Sequence, residues 1–299
     1  MRSCLRVVSA ALLIAAAVMS APLVAQAVPA SACPGVIQVI GVRGSGETNA
    51  DYHGYGHTVW DVVQKYKSYV PAQLTVKSMY VDYQAVGVGY DSVAYGLVYH
   101  QSVAQGIAVL NTKLIALSRQ TCVQTGYTRI LLVGYSQGAQ VVADEMAAMP
   151  ATMGVPIFGA ILISDPRFNG SDPKVSVTQV NTNTSAVNFG SYAKNLNGVA
   201  RFLDPWKPAR DWTSLPWTFS VCAANDPVCN FTPTNAASCL VASKCAHLHY
   251  FDHAFQGALW TQWAAQRAWW MTTGGCGIGA TATVGTGPPL DPVVAPRGC

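Results

Sequence analysis

The sequence predicts an α/β fold with a mainly parallel central sheet and helices on both faces. Two observations carry this. Short apolar runs suited to buried strands alternate along the chain with longer stretches that read as helices, the pattern of a sheet covered on both sides. One of those runs ends in Gly134-Tyr135-Ser136-Gln137-Gly138 and passes directly into a helical stretch. Ligands of such a sheet bind at the carboxyl ends of its strands.

The elements follow in order. Val36 to Val42 is a short apolar run that predicts a buried strand, and it empties into the glycine-rich loop Arg43-Gly44-Ser45-Gly46-Glu47-Thr48. Tyr55 to Tyr69 reads as a helix, Leu74 to Tyr83 as a second strand, and Ser92 to Ser118 as one long helix or two joined at Gly106. Arg129 to Val133 is expected to be the third strand, Ile157 to Ile163 the fourth and Trp217 to Val221 the fifth. A helix is predicted over Ala139 to Met149, and a last one over Phe255 to Met271 with Trp260, Trp263, Trp269 and Trp270. Packing in the core and at the surface is the first reading of those tryptophans, ahead of a lipid-contacting patch.

The pentapeptide at Ser136 points to chemistry. In a tight strand-to-helix turn, side chains two positions before and after the serine would collide with the neighbouring strand and helix, so glycine is needed at 134 and 138. The serine hydroxyl is left projecting, and the unpaired N–H groups of the new helix face any charge that forms on a substrate oxygen. A serine hydrolase is the expectation. Such a serine needs a base, and the base needs an acid; in this arrangement the chain order is Ser, Asp or Glu, His. His247, His249 and His253 follow Ser136, as do Asp165, Asp204, Asp211, Asp226 and Asp252. Asp226 stands between Cys222 and Cys229, where a small disulfide ring would hold a carboxylate rigidly. Asp165, in an Asp-Pro pair after a strand, is its competitor and more simply starts a turn. Among the histidines His247 leads, with His249 and His253 still open.

Composition bounds the setting. Residues 1–27 have the three parts of a cleavable signal peptide: Arg2 and Arg6, an apolar run from Val7 to Val18, and small residues ending at Ala27. The apolar run is too short to anchor in a bilayer, so a secreted protein without stable membrane insertion is expected. Ala30 three places before Cys33 argues against a lipid-modified cysteine there. Nine cysteines are present, and loss of Cys4 with the leader leaves an even eight, as expected of disulfides in an exported protein. Short loops favour Cys222 with Cys229 and Cys239 with Cys245; Cys33 with Cys122 and Cys276 with Cys299 would complete the set. The chain is 299 residues with a formal charge of +4, two units of which belong to the leader, and only 11% of residues are charged. Nucleic acid is therefore not an expected partner. No cofactor is implied, and no metal: there is no C-x-x-C pair, and His247-Leu248-His249 lacks a carboxylate at a fitting spacing. Gly44-Ser45-Gly46 lacks the lysine of a phosphate loop.

Arg43-Gly44-Ser45, the Ser92-Val93 and Gly106 pattern ahead of Cys122, Gly-Tyr-Ser-Gln-Gly-Ala at 134–139, Asp226-Pro-Val-Cys229 and His247-Leu248-His249-Tyr250 together resemble the cutinase family. The resemblance runs from about Cys33 to Met271. It implies a single α/β-hydrolase domain, assigned here to residues 28–272, with an exposed serine. It also implies Ser136 as nucleophile, His247 as general base, Asp226 as its partner, and an oxyanion hole of Ser45 and the Gln137 N–H. The family's two usual disulfides would map onto Cys33–Cys122 and Cys222–Cys229. The chain departs from the family in a stretch between Asp165 and Cys222 with Trp206, Trp212 and Trp217, in a second holding Cys239 and Cys245, and in a Gly/Thr/Pro-rich tail over 273–299. Both inserted stretches are expected near the serine, where they bear on substrate range.

The expected function is a secreted, monomeric serine esterase. Its substrate is a lipid, a cutin-like polyester or an acylated polysaccharide, turned over through an acyl-enzyme. A neutral imidazole base implies activity that falls below about pH 6 to 7. The alternatives are a cell-envelope acyltransferase or phospholipase using the same triad, and a non-catalytic surface-binding protein, against which the intact Ser136, Asp226 and His247 set argues.

Overall fold

The structure is a computed structural model that describes residues 35–87, 94–124, 128–149, 154–168, 176–180, 198–200, 217–223, 225–252, 254–255 and 258–273. Residues 1–27, where a signal peptide was expected, the tail beyond 273, and Cys33, Asp204, Trp206, Asp211, Trp212, His253, Cys276 and Cys299 lie outside them.

A six-stranded sheet forms the centre. Its strands are β1 (Val36–Val42), β2 (Thr75–Tyr80), β3 (Thr128–Tyr135), β4 (Ile157–Ile163), β5 (Ser176–Val180) and β6 (Trp217–Ala223), in the order β2-β1-β3-β4-β6-β5. Every adjacent pair is parallel. The helices are α1 (His57–Tyr69), α2 (Ala94–Ser118), the short α3 (Thr121–Gln124), α4 (Gln137–Ala148), α5 (Pro233–Ser238) and α6 (Trp260–Thr273).

Alternation along the strands builds two cores. Ile37 and Val39 of β1, Leu131 and Val133 of β3, and Ile161 and Ile163 of β4 pack with Val59, Val62, Val63 and Tyr66 of α1 and with Trp260, Trp263, Ala264 and Ala268 of α6. The intervening Ile40, Val42, Ile130, Leu132, Ala160 and Leu162 pack with Val103, Leu110 and Leu114 of α2 and with Val141, Val142 and Met146 of α4. Both faces being covered, the central strands read in sequence as mainly apolar runs, interrupted at Gln38 in β1 and at the Thr128-Arg129 start of β3. Trp260 and Trp263 are buried core residues of α6.

The departures from expectation have physical causes. The segment after Tyr80 leaves the sheet, and the Arg43 guanidinium takes the carbonyls of Val81 and Tyr83. Strand β3 runs on to Tyr135 because Gly134 and Tyr135 pair with Leu162 and Ile163 of β4. Helix α2 passes through Gly106 without a break. The glycine serves close packing there, since a Cβ would lie 2.7 Å from Val141 Cγ2 on α4. The last helix begins only at Trp260, because Ala254–Phe255 pairs with Ala258–Leu259 as a short antiparallel ribbon. Strand β5 was not expected: Ser176, Thr178 and Gln179 make it polar, as suits the end of the sheet order.

Candidate active site

The carboxyl ends of β1, β3, β4 and β6 meet around Ser136. The serine adopts φ 53° and ψ −123°, a left-handed φ that a non-glycine residue takes only when its surroundings enforce it. The enforcement is visible. A Cβ on Gly138 would lie 2.1 Å from the Val42 carbonyl oxygen, and one on Gly134 would lie 2.5 Å from the Gly138 oxygen. The Ser136 N–H donates to the Ile163 carbonyl at 2.8 Å, and α4 begins at the next residue.

His247 lies on a 3-10 turn, Ala246–His249, directly after the Cys239–Cys245 disulfide. Its ring stacks on Tyr135, centroid to centroid 5.1 Å, and the Tyr135 hydroxyl donates to the His247 carbonyl. The element carrying the serine thus also grips the histidine. His247 Nε2 is 3.0 Å from Ser136 Oγ, and Nδ1 is 3.1 Å from Asp226 Oδ2.

Asp226 sits within the ring closed by Cys222–Cys229 and is fully buried. Its Oδ1 accepts the Val228 N–H at 2.8 Å; its Oδ2 accepts the Tyr250 hydroxyl at 2.8 Å and the Ser164 hydroxyl, beside His247. Burial alone would raise this carboxyl's pKa, but His247, the Ser164 hydroxyl and the Val228 N–H together hold it below the ordinary aspartate value.

This arrangement fixes the histidine tautomer. Because the Ser164 hydroxyl gives its proton to Asp226, its oxygen, 2.9 Å from Nδ1, can only accept. Nδ1 faces two acceptors and carries the proton. Nε2 is left with a lone pair toward the Ser136 hydroxyl, as a general base requires.

On the other side of Ser136 lies the loop after β1. Ser45 Oγ is buried and has no hydrogen-bond partner among the described residues. The Gln137 N–H is one of the donors that a helix leaves unpaired at its first turn. The Gln137 side chain is buried, and its Oε1 accepts the Ser102 hydroxyl at 3.0 Å.

The other candidates lie elsewhere. His249 faces Asp252, with Nδ1 3.0 Å from Oδ2, and its Nε2 is 3.1 Å from the Ala242 carbonyl. The hydrogen bond that its ring gives to the Asp252 carboxylate raises its pKa. Asp165 accepts the Arg167 N–H at 2.9 Å in the turn after β4. His57 opens α1, stacked between Tyr52 and Phe251, while His53 packs against Trp60. His100 lies edge-on to Tyr99. Cys122 is disulfide-bonded; its expected partner, Cys33, lies outside the described residues. No group of three or more His, Cys, Asp or Glu that could hold a metal occurs among the described residues.

Two site residues were missed in the sequence. Ser164 follows β4 and is held at φ 55° with its N–H on the Val221 carbonyl at 2.7 Å. Its signal is its position at a strand's carboxyl end, which sequence alone does not tie to Asp226. Tyr250 closes the His-Leu-His-Tyr run, and its oxygen also accepts the Ala223 N–H at 2.9 Å.

Comparison with protein families matches the cutinase model over residues 32–267. The chain belongs to the cutinase family. Its members' α/β-hydrolase fold is the one seen here, in a single domain, and the protein is a carboxylic ester hydrolase. Solved structures similar to the chain include a cutinase-like protein from Cryptococcus sp., at 20% identity and TM-score 0.49 over 81% of this chain and 95% of that one. The catalytic core domain of acetyl xylan esterase from Trichoderma reesei gives 19% identity and TM-score 0.48 over 81% and 98%. A Trichoderma reesei cutinase gives 19% identity and TM-score 0.40 over 81% and 76%. No curated protein sequence matches the chain. The Cys222–Cys229 and Cys239–Cys245 bridges fit an oxidising compartment, and no described helix is long and apolar enough to cross a membrane.

Proposed function

We propose that this cutinase-family hydrolase is a secreted, monomeric esterase of lipid, cutin-like polyester or acylated polysaccharide, working through Ser136, His247 and Asp226. The observation that carries the reading is the continuous hydrogen-bonded chain Ser136 Oγ, His247 Nε2, His247 Nδ1, Asp226 Oδ2, with steps of 3.0 and 3.1 Å.

In the first step Ser136 Oγ attacks the ester carbonyl carbon as its proton passes to His247 Nε2. The imidazolium that forms is stabilised by Asp226, whose carboxylate stays ionised because His247, Ser164 and Val228 favour its charged form. The tetrahedral oxyanion is met by the Ser45 hydroxyl and N–H and by the Gln137 N–H. Nε2 returns its proton to the leaving alkoxide, giving the free alcohol and an acyl-Ser136. Water then attacks the acyl carbon with its proton going to Nε2, and collapse of the second intermediate returns that proton to Ser136 Oγ and releases the acid. Ser45 Oγ, buried and without a hydrogen-bond partner among the described residues, supports its role: its hydroxyl still has a proton to donate to a substrate oxygen.

The test is hydrolysis of p-nitrophenyl esters from acetate to palmitate by the wild type, Ser136→Ala and Ser45→Ala. Loss of turnover in Ser136→Ala, and a fall of roughly 10² to 10³ in kcat for Ser45→Ala, are the expected results. Equal loss in the two variants would overturn the Ser45 role, and the chain-length optimum separates an acetyl esterase from a cutinase or lipase.

A further inference from the structure

The loop that presents Ser45 is held more firmly than its glycines suggest. Gly44 packs on the elbow so closely that a Cβ would meet the Tyr135 ring at 2.7 Å and Ser136 Cβ at 3.2 Å. On one side of Ser45 the Gly46 N–H donates to the Ala85 carbonyl at 2.6 Å. On the other the Gly44 N–H donates to Glu47 Oε2 at 2.7 Å. The second oxygen of that carboxylate, Oε1, accepts the N–H of His57, the first residue of α1, at 2.8 Å. The Arg43 Nε–H donates to the Glu47 carbonyl at 2.9 Å. The carboxylate fits only because residue 56 is glycine at φ 70°: a Cβ there would lie 2.0 Å from Glu47 Oε2. This is an ionisable side chain spanning the oxyanion loop and the positive end of a 13-residue helix, with each of its oxygens engaged by a backbone N–H.

We propose that Glu47 is a positioning residue of the oxyanion hole: its carboxylate, bridging the Gly44 and His57 N–H groups, sets where Ser45 stands against the elbow. The proposal rests on the reading of Ser45 as an oxyanion donor. A site of this kind works by preorganisation, and a donor displaced by a fraction of an ångström loses most of its differential hold on the transition state. A helix cap alone would be felt in stability and not in turnover.

The distinguishing experiment is a double-mutant cycle on p-nitrophenyl butyrate turnover with Ser45→Ala, Glu47→Gln and the double variant, alongside thermal melting. The glutamine is isosteric, but its amide nitrogen confronts one of the two N–H donors. Glu47→Gln is expected to lower kcat by about tenfold or more while KM stays within about threefold, and the double variant is expected to fall no more than about twofold below Ser45→Ala. Gly56→Ala, which displaces the same carboxylate from the helix side, should give the same non-additive loss, and it carries the test if Glu47→Gln does not fold. A kcat within twofold of wild type, or losses that multiply with Ser45→Ala, would overturn the proposal. A Ser45→Ala variant with wild-type kcat would instead remove the oxyanion reading itself, and the role of Glu47 with it.

Discussion

Replacing Asp226 with asparagine tests the tautomer argument directly. The carboxylate accepts at two oxygens: Oδ1 from a backbone N–H, and Oδ2 from Ser164, Tyr250 and His247. An asparagine must place its NH2 group at one of these sites. The Val228 N–H is fixed in direction and cannot become an acceptor, whereas the two hydroxyls can rotate and the imidazole can exchange tautomers. The NH2 group therefore goes to the Oδ2 side and donates toward Nδ1, which drives the proton to Nε2. An Nε2 that carries a proton cannot take one from Ser136. The wrong-tautomer loss in a Ser-His-Asp site is about 10⁴ in kcat, equivalent to roughly 5.5 kcal/mol of transition-state stabilisation. Initial rates on p-nitrophenyl butyrate at pH 8, with near-ultraviolet circular dichroism to verify packing, give the answer. A folded Asp226→Asn enzyme within about tenfold of wild type would refute the reasoning, because the geometry would then be tolerating either tautomer.

Further outcomes follow from the same contacts. Ser164→Ala removes a donor to a buried carboxylate, an interaction of roughly 1.5–3 kcal/mol, and should lower kcat/KM by about ten- to a hundredfold with KM little changed. The depressed pKa of Asp226 means that its contribution to stability is fully present above the ordinary value of 3.8 and is lost as pH falls below it toward the folded value; acid titration of the melting temperature should show a steeper fall in wild type than in Asp226→Asn. Opening the bridge with Cys239→Ser/Cys245→Ser should cost about 2 kcal/mol by loop entropy and, since Cys245 immediately precedes the turn bearing His247, should also reduce kcat; urea unfolding and initial rates measure the two. Gly138→Ala drives a Cβ into the Val42 and Arg43 carbonyls, fixed backbone on both counts, and should give an enzyme that is inactive or does not fold, as soluble yield and melting will show.

Much of this protein is written locally. The strands over 36–42 and 157–163 are legible because both faces of a parallel sheet are buried, and a short run that is apolar at nearly every position has few other uses. The elbow is legible because its steric demand falls within five residues: glycine must stand at 134 and 138 wherever the fold places the turn. The pairing of Cys222 with Cys229 and of Cys239 with Cys245 is likewise a matter of short loops.

What the tertiary structure decided is everything that depends on which strand ends are neighbours. Sequence could rank His247 above His249, but only the fold turns one toward Ser136 and the other toward Asp252. Ser164 and Glu47 carry no motif, and Tyr250 enters one only as the last residue of the His-Leu-His-Tyr run with no role attached, since a serine after a strand, a tyrosine in a turn and a glutamate in a glycine-rich loop are ordinary in themselves. They matter because β4 and β6 bring Ser164 beside Asp226, 62 residues away in sequence, and because α1 packs back on β1 to set its first N–H against Glu47. Local sterics can be read from neighbours along the chain; a buried hydrogen-bond network cannot, because its members share only the space that the packed sheet gives them.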